Sequence, residues 1–101
     1  MLNAARQTNE IFVVDDDAAV RDALTMALRS EGYQVESFAD AANVLNIVRL
    51  RAPAAILLDV MLPDTSGLEV LKALKAEHYP APVLMITGHG NIPMAVEAIK
   101  L

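Results

Sequence analysis

The sequence contains no cysteine, which excludes disulfides and thiolate metal sites. That absence fits a cytosolic protein. No apolar run approaches the roughly 20 residues that a membrane-spanning helix requires, so no membrane association is expected. The opening stretch from Met1 to Glu10 is polar and lacks the apolar centre of a secretory signal. Basic residues are few: Lys and Arg number 8 against 13 Asp and Glu, for a formal net charge of -5. A chain of that sign is repelled by phosphate backbones and by anionic lipid. Direct nucleic-acid binding by this chain is therefore not expected. There is also no low-complexity segment, internal repeat or linker.

What remains is a chain of 101 residues, 54% hydrophobic and 21% charged. That supports one domain with a real core and leaves no room for a second. The expected division is a short tail, residues 1–9, and a folded unit, residues 10–101.

Short apolar runs alternate with amphipathic segments. Ile11-Phe12-Val13-Val14 is apolar at every position and β-branched at three of them, as a strand covered on both faces would be. Asp17 then suits a helix N-cap, and Val20, Leu24, Ala27 and Leu28 fall on one helical face. Gly32 ends that helix. Tyr33 to Phe38 alternates in part, like an edge strand. Asp40 suits a second cap, with Val44, Leu45 and Val48 inward, and Pro53 closes the connection that follows. Ala54 to Asp59 is a second apolar strand. Pro63, Asp64, Ser66 and Gly67 mark a loop, and Ser66 suits the cap of a third helix carrying Leu68, Leu71 and Leu74. Val83 to Thr87 is a further apolar strand. Gly88 and Gly90 make a loop, and Pro93 suits the first turn of a fourth helix through Lys100. Strands alternating with helices imply an α/β fold: a doubly wound parallel sheet with right-handed crossovers. Such sheets carry their chemistry at the carboxyl ends of the strands.

The strand ends carry the chemical signal. The first apolar run ends at Asp15 and Asp16, the next ends at Asp59, and the last ends at Thr87. If the first and third strands are neighbours, three carboxylates meet in one crevice. Carboxylates that close repel one another, and a hard divalent cation with oxygen ligands relieves them. Taken singly, an Asp after a strand is as readily a turn former or a helix cap, and Asp17 is read as a cap. Two acid-bearing strand ends and a strand-terminal Thr are more specific together.

The segments Val13-Val14-Asp15-Asp16-Asp17, Leu57-Leu58-Asp59-Val60-Met61-Leu62-Pro63-Asp64 and Ile86-Thr87-Gly88-His89-Gly90 resemble the signature blocks of bacterial response regulator receiver domains in order and spacing. The last block, with the segment from Asn91 to Lys100, is similar to the FixJ-like and NtrC-like regulators. The resemblance implies a flavodoxin-like sheet with strand order 2-1-3-4. It implies that Asp59 accepts a phosphoryl group from a sensor histidine kinase. It implies Mg²⁺ held by Asp15, Asp16, Asp59 and the backbone carbonyl of Met61, with Thr87 as the switch hydroxyl. It further implies a cytoplasmic setting and, from the similarity to transcription-factor receivers, a transcriptional output carried outside this segment. Members of the family continue with a fifth strand, a fifth helix and a lysine on that strand. The sequence ends at Leu101, so the expectation is a receiver domain without them, and with Val83 to Thr87 as an exposed edge. An apolar edge invites pairing with another chain, so a homodimer through the fourth strand is expected.

Other classes stay open at this point. A pseudo-receiver would keep the fold as a protein-interaction module and lose phosphorylation. A phosphohydrolase with an aspartyl nucleophile would need a second acid two residues on, where Met61 stands, so the chain is read as a phosphoacceptor and not as an enzyme. A flavin module would need a hydroxyl-rich phosphate loop where Asp15, Asp16 and Asp17 stand. Pro63 and Gly67 are read as turn chemistry, and His89 as a loop histidine. His78 is read as a helix-end residue favouring the dipole. Arg21, Arg29, Lys72, Lys75 and Lys100 are read as solvated helix positions.

Overall fold

A computed structural model describes residues 9–60 and 62–86 of the chain. The elements run β1 (Glu10–Val14), α1 (Ala18–Ser30), β2 (Gln34–Phe38), α2 (Ala41–Val48), β3 (Ala55–Asp59), α3 (Gly67–Ala76) and β4 (Val83–Ile86). All strand pairs are parallel, in the order β2-β1-β3-β4. This is the expected flavodoxin-like doubly wound sheet. Met61, Thr87, His89 and the helix expected from Pro93 to Lys100 lie outside the described residues.

The period-two geometry of a strand explains why β1 and β3 are apolar throughout. On one face Phe12, Val14, Ile56 and Leu58 pack with Ala41, Val44 and Val48 of α2 and with Val70 and Leu74 of α3. On the other, Ile11, Val13, Ala55 and Leu57 pack with Val20, Leu24 and Leu28 of α1. Each of these side chains is buried, and full burial of one large apolar side chain contributes about 2 kcal/mol. Phe12 and Phe38 meet edge to face with ring centroids 5.2 Å apart, which ties β2 to the centre of the sheet.

All three expected caps form. Asp17 accepts from the N–H groups of Ala19 (2.9 Å) and Val20 (3.3 Å). Asp40 accepts from Asn43 N–H at 3.0 Å, and Ser66 Oγ from Leu68 N–H at 3.1 Å. Each such bond satisfies a donor that the first helical turn leaves unpaired.

The face of α3 differs from the expected one. Leu68 is 51% exposed, whereas Val70 is 2% exposed. The buried stripe is Gly67, Val70 and Leu74, with Leu71 half-buried. Gly67 sets this rotation, because its backbone presses against the end of β3, and that turns Leu68, about 100° further around the helix, toward solvent.

The carboxyl ends of α1 and α3 are built alike. Gly32 N–H donates to Arg29 O and Tyr33 N–H to Leu28 O; His78 N–H donates to Lys75 O and Tyr79 N–H to Leu74 O. Both are Schellman motifs. Gly32 takes the left-handed position at φ 95° and His78 takes it at φ 54°. The histidine is thus a left-handed C-cap residue and carries a steric cost of about 1 kcal/mol that glycine avoids. Among the described residues no helix is long and apolar enough to cross a membrane.

Candidate functional site

The parallel register decides what meets at the carboxyl edge of the sheet. Val14 pairs with Leu58, so Asp15, the next residue of the first strand, comes beside Asp59 at the end of β3. β1 leads to β2 on one side and borders β3 on the other. A crevice opens where a doubly wound sheet reverses its order in this way.

Asp15 is fixed from several directions. Its N–H donates to Phe38 O at 3.0 Å, which extends the β1–β2 ladder by one bond. Its carbonyl accepts from Arg21 Nη1 at 2.7 Å, and its carboxylate Oδ1 accepts from Asp17 N–H at 2.9 Å. The side chain is therefore locked into the crevice and not turned to solvent; the residue is 5% exposed. Burial pushes its carboxyl above the ordinary Asp range; the Asp17 N–H opposes this, and repulsion from Asp59, Asp16 and Asp17 adds to it.

Asp15, Asp16 and Asp59 each offer a carboxylate oxygen, and these oxygens all lie within 4.8 Å of one another. Asp15 is buried, Asp16 exposed and Asp59 half-buried. Three converging oxygen donors, whose mutual repulsion a cation would relieve, suit a hard cation. Among the described residues the group is made of carboxylates alone, the oxygen donors that hard cations prefer.

The structure thus brings together the three expected acids. Thr87 and Met61 lie outside the described residues, and their roles are not placed. Val60 N–H donates to Ile86 O at 3.2 Å, so β4 does border the crevice at its last described residue.

Three contributors were read differently in the sequence. Arg21, read as solvated, reaches back over the start of α1 to Asp15 O. Gly67, read as turn chemistry, is required by close approach: a Cβ there would lie 2.2 Å from Asp59 O. Asp64, read as loop punctuation, caps α2 from the far side of the crevice: its two oxygens accept from Ala41 N–H and Ala42 N–H, each at 3.1 Å. The Ala41 N–H, with that of Ala42 assisting, holds the Asp64 carboxyl below the usual Asp range. No local sequence pattern marks these contacts, since each involves a backbone atom, and those of Asp64 lie more than twenty residues away in the chain.

Comparison with known proteins bears on this arrangement. The family described as the response regulator receiver domain matches residues 11–101. The chain is 45% identical over 91 residues to the transcriptional regulatory protein FixJ of Bradyrhizobium diazoefficiens, covering 90% of this chain and 44% of that protein. It is 47% identical over 90 residues to the response regulator protein TodT of Pseudomonas putida, covering 89% of this chain and 40% of that protein. The chain thus spans less than half the length of these relatives. Among solved structures it superimposes on a CheY-like receiver domain protein from Methanospirillum hungatei with a TM-score of 0.73 and 33% identity, covering 93% of this chain and 75% of that one.

Proposed function

The chain belongs to the response regulator receiver domain family, and from that premise we propose that Asp59 is its phosphoacceptor in two-component signalling. The observation that carries the reading is the cluster of Asp15, Asp16 and Asp59, with oxygens within 4.8 Å, at the adjoining ends of β1 and β3. In the proposed reaction a carboxylate oxygen of Asp59 attacks phosphorus and forms an acyl phosphate. The bond from phosphorus to the kinase histidine nitrogen breaks, and the imidazole leaves. Asp15, Asp16 and Asp59 would hold Mg²⁺, together with the backbone carbonyl of Met61. When bound, that ion neutralises charge developing on the transferred oxygens. Thr87 would contact the phosphoryl group in one state and not the other, which is what a two-state switch needs.

The partners of this reading are a sensor histidine kinase in the cytoplasm and a transcriptional output, as the printed name of FixJ states for that protein. The receiver unit would run from Glu10. A second copy of the chain would pair along β4, which is one of the two outer strands of the described sheet and has no charged residue, whereas the other, β2, carries Glu36. A monomeric mass on sizing at micromolar concentration would exclude that pairing.

The deciding experiment is labelling with acetyl phosphate in the presence and absence of Mg²⁺. The expected result is a Mg²⁺-dependent, base-labile acyl phosphate on the wild-type chain and none on Asp59→Asn. Equal labelling of both would remove Asp59 from its role. No labelling of the wild type, with the fold intact, would favour a protein-interaction module that is not phosphorylated.

A further inference from the structure

We propose that Asp64 is a positioning residue for the Asp59 site, acting by clasping the loop after β3 to the amino end of α2. The inference rests on the reading of Asp15, Asp16 and Asp59 as a cation and phosphoryl site. The loop in question leaves β3 at Asp59 and returns at Gly67. Its base is closed by Gly67 N–H donating to Val60 O at 2.6 Å, and it is held to β4 by Val60 N–H donating to Ile86 O at 3.2 Å. Leu62 packs against the core on the α2 and α3 side. Ser66 Oγ accepts from Leu68 N–H at the start of α3, and Asp64 ties the loop to α2: its two oxygens take the N–H groups of Ala41 and Ala42, each at 3.1 Å.

The amino end of α2 already has a local cap. Asp40, the residue before the helix, accepts from Asn43 N–H at 3.0 Å. The two carboxylates therefore share the same helix end but differ in what they connect. Asp40 joins the helix to its own preceding residue. Asp64 joins it to the loop whose base fixes the backbone of Asp59 and Val60. Losing either costs the helix a cap; losing Asp64 alone also releases the loop. Both bonds to Asp64 are charge-assisted, and two parallel bonds to neighbouring N–H groups fix direction as well as distance.

The pairing of Asp64 with Asp40 supplies the test. In the full chain, Asp64→Ala is expected to weaken Mg²⁺ affinity about tenfold, the scale seen when a partner behind a metal ligand is lost. It is also expected to accelerate amide exchange at Gly67, whose N–H closes the loop. Asp40→Ala is expected to lower the denaturation midpoint to a similar degree, with Mg²⁺ affinity and Gly67 exchange unchanged. Asp64→Asn keeps one oxygen acceptor in place of two and should fall between wild type and Asp64→Ala; it serves as the probe if the alanine variant does not fold. Equal effects of Asp64→Ala and Asp40→Ala on Gly67 exchange would reduce Asp64 to a helix cap and overturn the proposal. So would unchanged Mg²⁺ affinity in a folded Asp64→Ala chain. If the wild type itself binds no Mg²⁺, the reading of the acidic site fails, and Gly67 exchange still decides the clasp.

Discussion

Gly67→Ala is expected to lower the stability of the fold by about 3 kcal/mol and to disturb the Asp59 site with it. A Cβ at this position would lie 2.2 Å from Asp59 O, 2.9 Å from Val60 Cα and 3.0 Å from the Asp59 carbonyl carbon. All three are backbone atoms, so no side chain can rotate out of the way. Relief requires moving either the end of β3 or the start of α3. The end of β3 is held by its pairing with β4, Asp59 opposite Ile86. The start of α3 is held by the Ser66 cap and by Val70 and Leu74 in the core. If the end of β3 gives way, the Asp59 carboxylate shifts relative to Asp15; if the start of α3 gives way, the Gly67 N–H bond to Val60 O, beside Asp59, is lost. The requirement is one of space, because the positive-φ glycine of the described residues is Gly32. Gly32 makes the useful contrast: nothing lies within 4 Å of its added Cβ, but φ is +95°, so an alanine there meets backbone strain of about 1–2 kcal/mol and no clash. Urea unfolding followed by circular dichroism reads both. A wild-type midpoint for Gly67→Ala would show that the backbones do not approach this closely.

That close approach also explains where the sequence could be read and where it could not. β1 and β3 were legible because a strand covered on both faces must be apolar at every position, and Ile11 to Val14 and Ala55 to Leu58 are. The caps Asp17, Asp40 and Ser66 were legible because a cap and its donors lie within three residues. The three clustered acids were legible because a strand end is a strand end in any register that pairs β1 with β3. The face of α3 was not. Apolar residues at 68, 70, 71 and 74 allow two stripes, and the choice between them is made by Gly67 against Asp59, a contact between distant backbones. Asp64 and Arg21 escaped for a related reason. Their acceptors and donors are backbone groups, which every residue carries, so nothing in the composition of Ala41, Ala42 or Asp15 announces them. His78 took a position that its neighbour in design, Gly32, advertises by being glycine.

The second large effect concerns Asp15, where the sign of a substitution is expected to reverse with the cation. Without divalent metal, Asp15→Asn should be more stable than wild type. The asparagine keeps an oxygen to accept from Asp17 N–H, now made at 2.9 Å, while removing a charge that is buried and repelled by Asp59, Asp16 and Asp17. With Mg²⁺ the order should invert. A ligand that binds only the folded state adds RT ln(1 + [L]/Kd), about 2.7 kcal/mol at a hundred times Kd. The wild type gains this and the variant, short of one carboxylate, gains much less. The pH dependence follows from the same charge. The folded carboxyl of Asp15 titrates above its unfolded value, so the folded chain holds a proton that the unfolded chain has released. Stability from this group is then present below the unfolded pKa and is lost as pH rises through the folded one. Cation affinity runs the other way, rising with pH through the same window, because the ligand must be ionised. Asp64 has the opposite sign to Asp15: its lowered carboxyl contributes stability that is present above its unfolded pKa and lost as pH falls through the folded one. Thermal midpoints of wild type and Asp15→Asn, measured across acid to neutral pH with and without MgCl₂, separate the two. Without metal, the wild-type curve should carry the slope from Asp15 and the Asp15→Asn curve should lack it, while the Asp64 slope stays in both. A Mg²⁺-induced rise in midpoint as large in Asp15→Asn as in wild type would place the cation away from Asp15. The acidic crevice would then be a strained feature of the fold and not a ligand set.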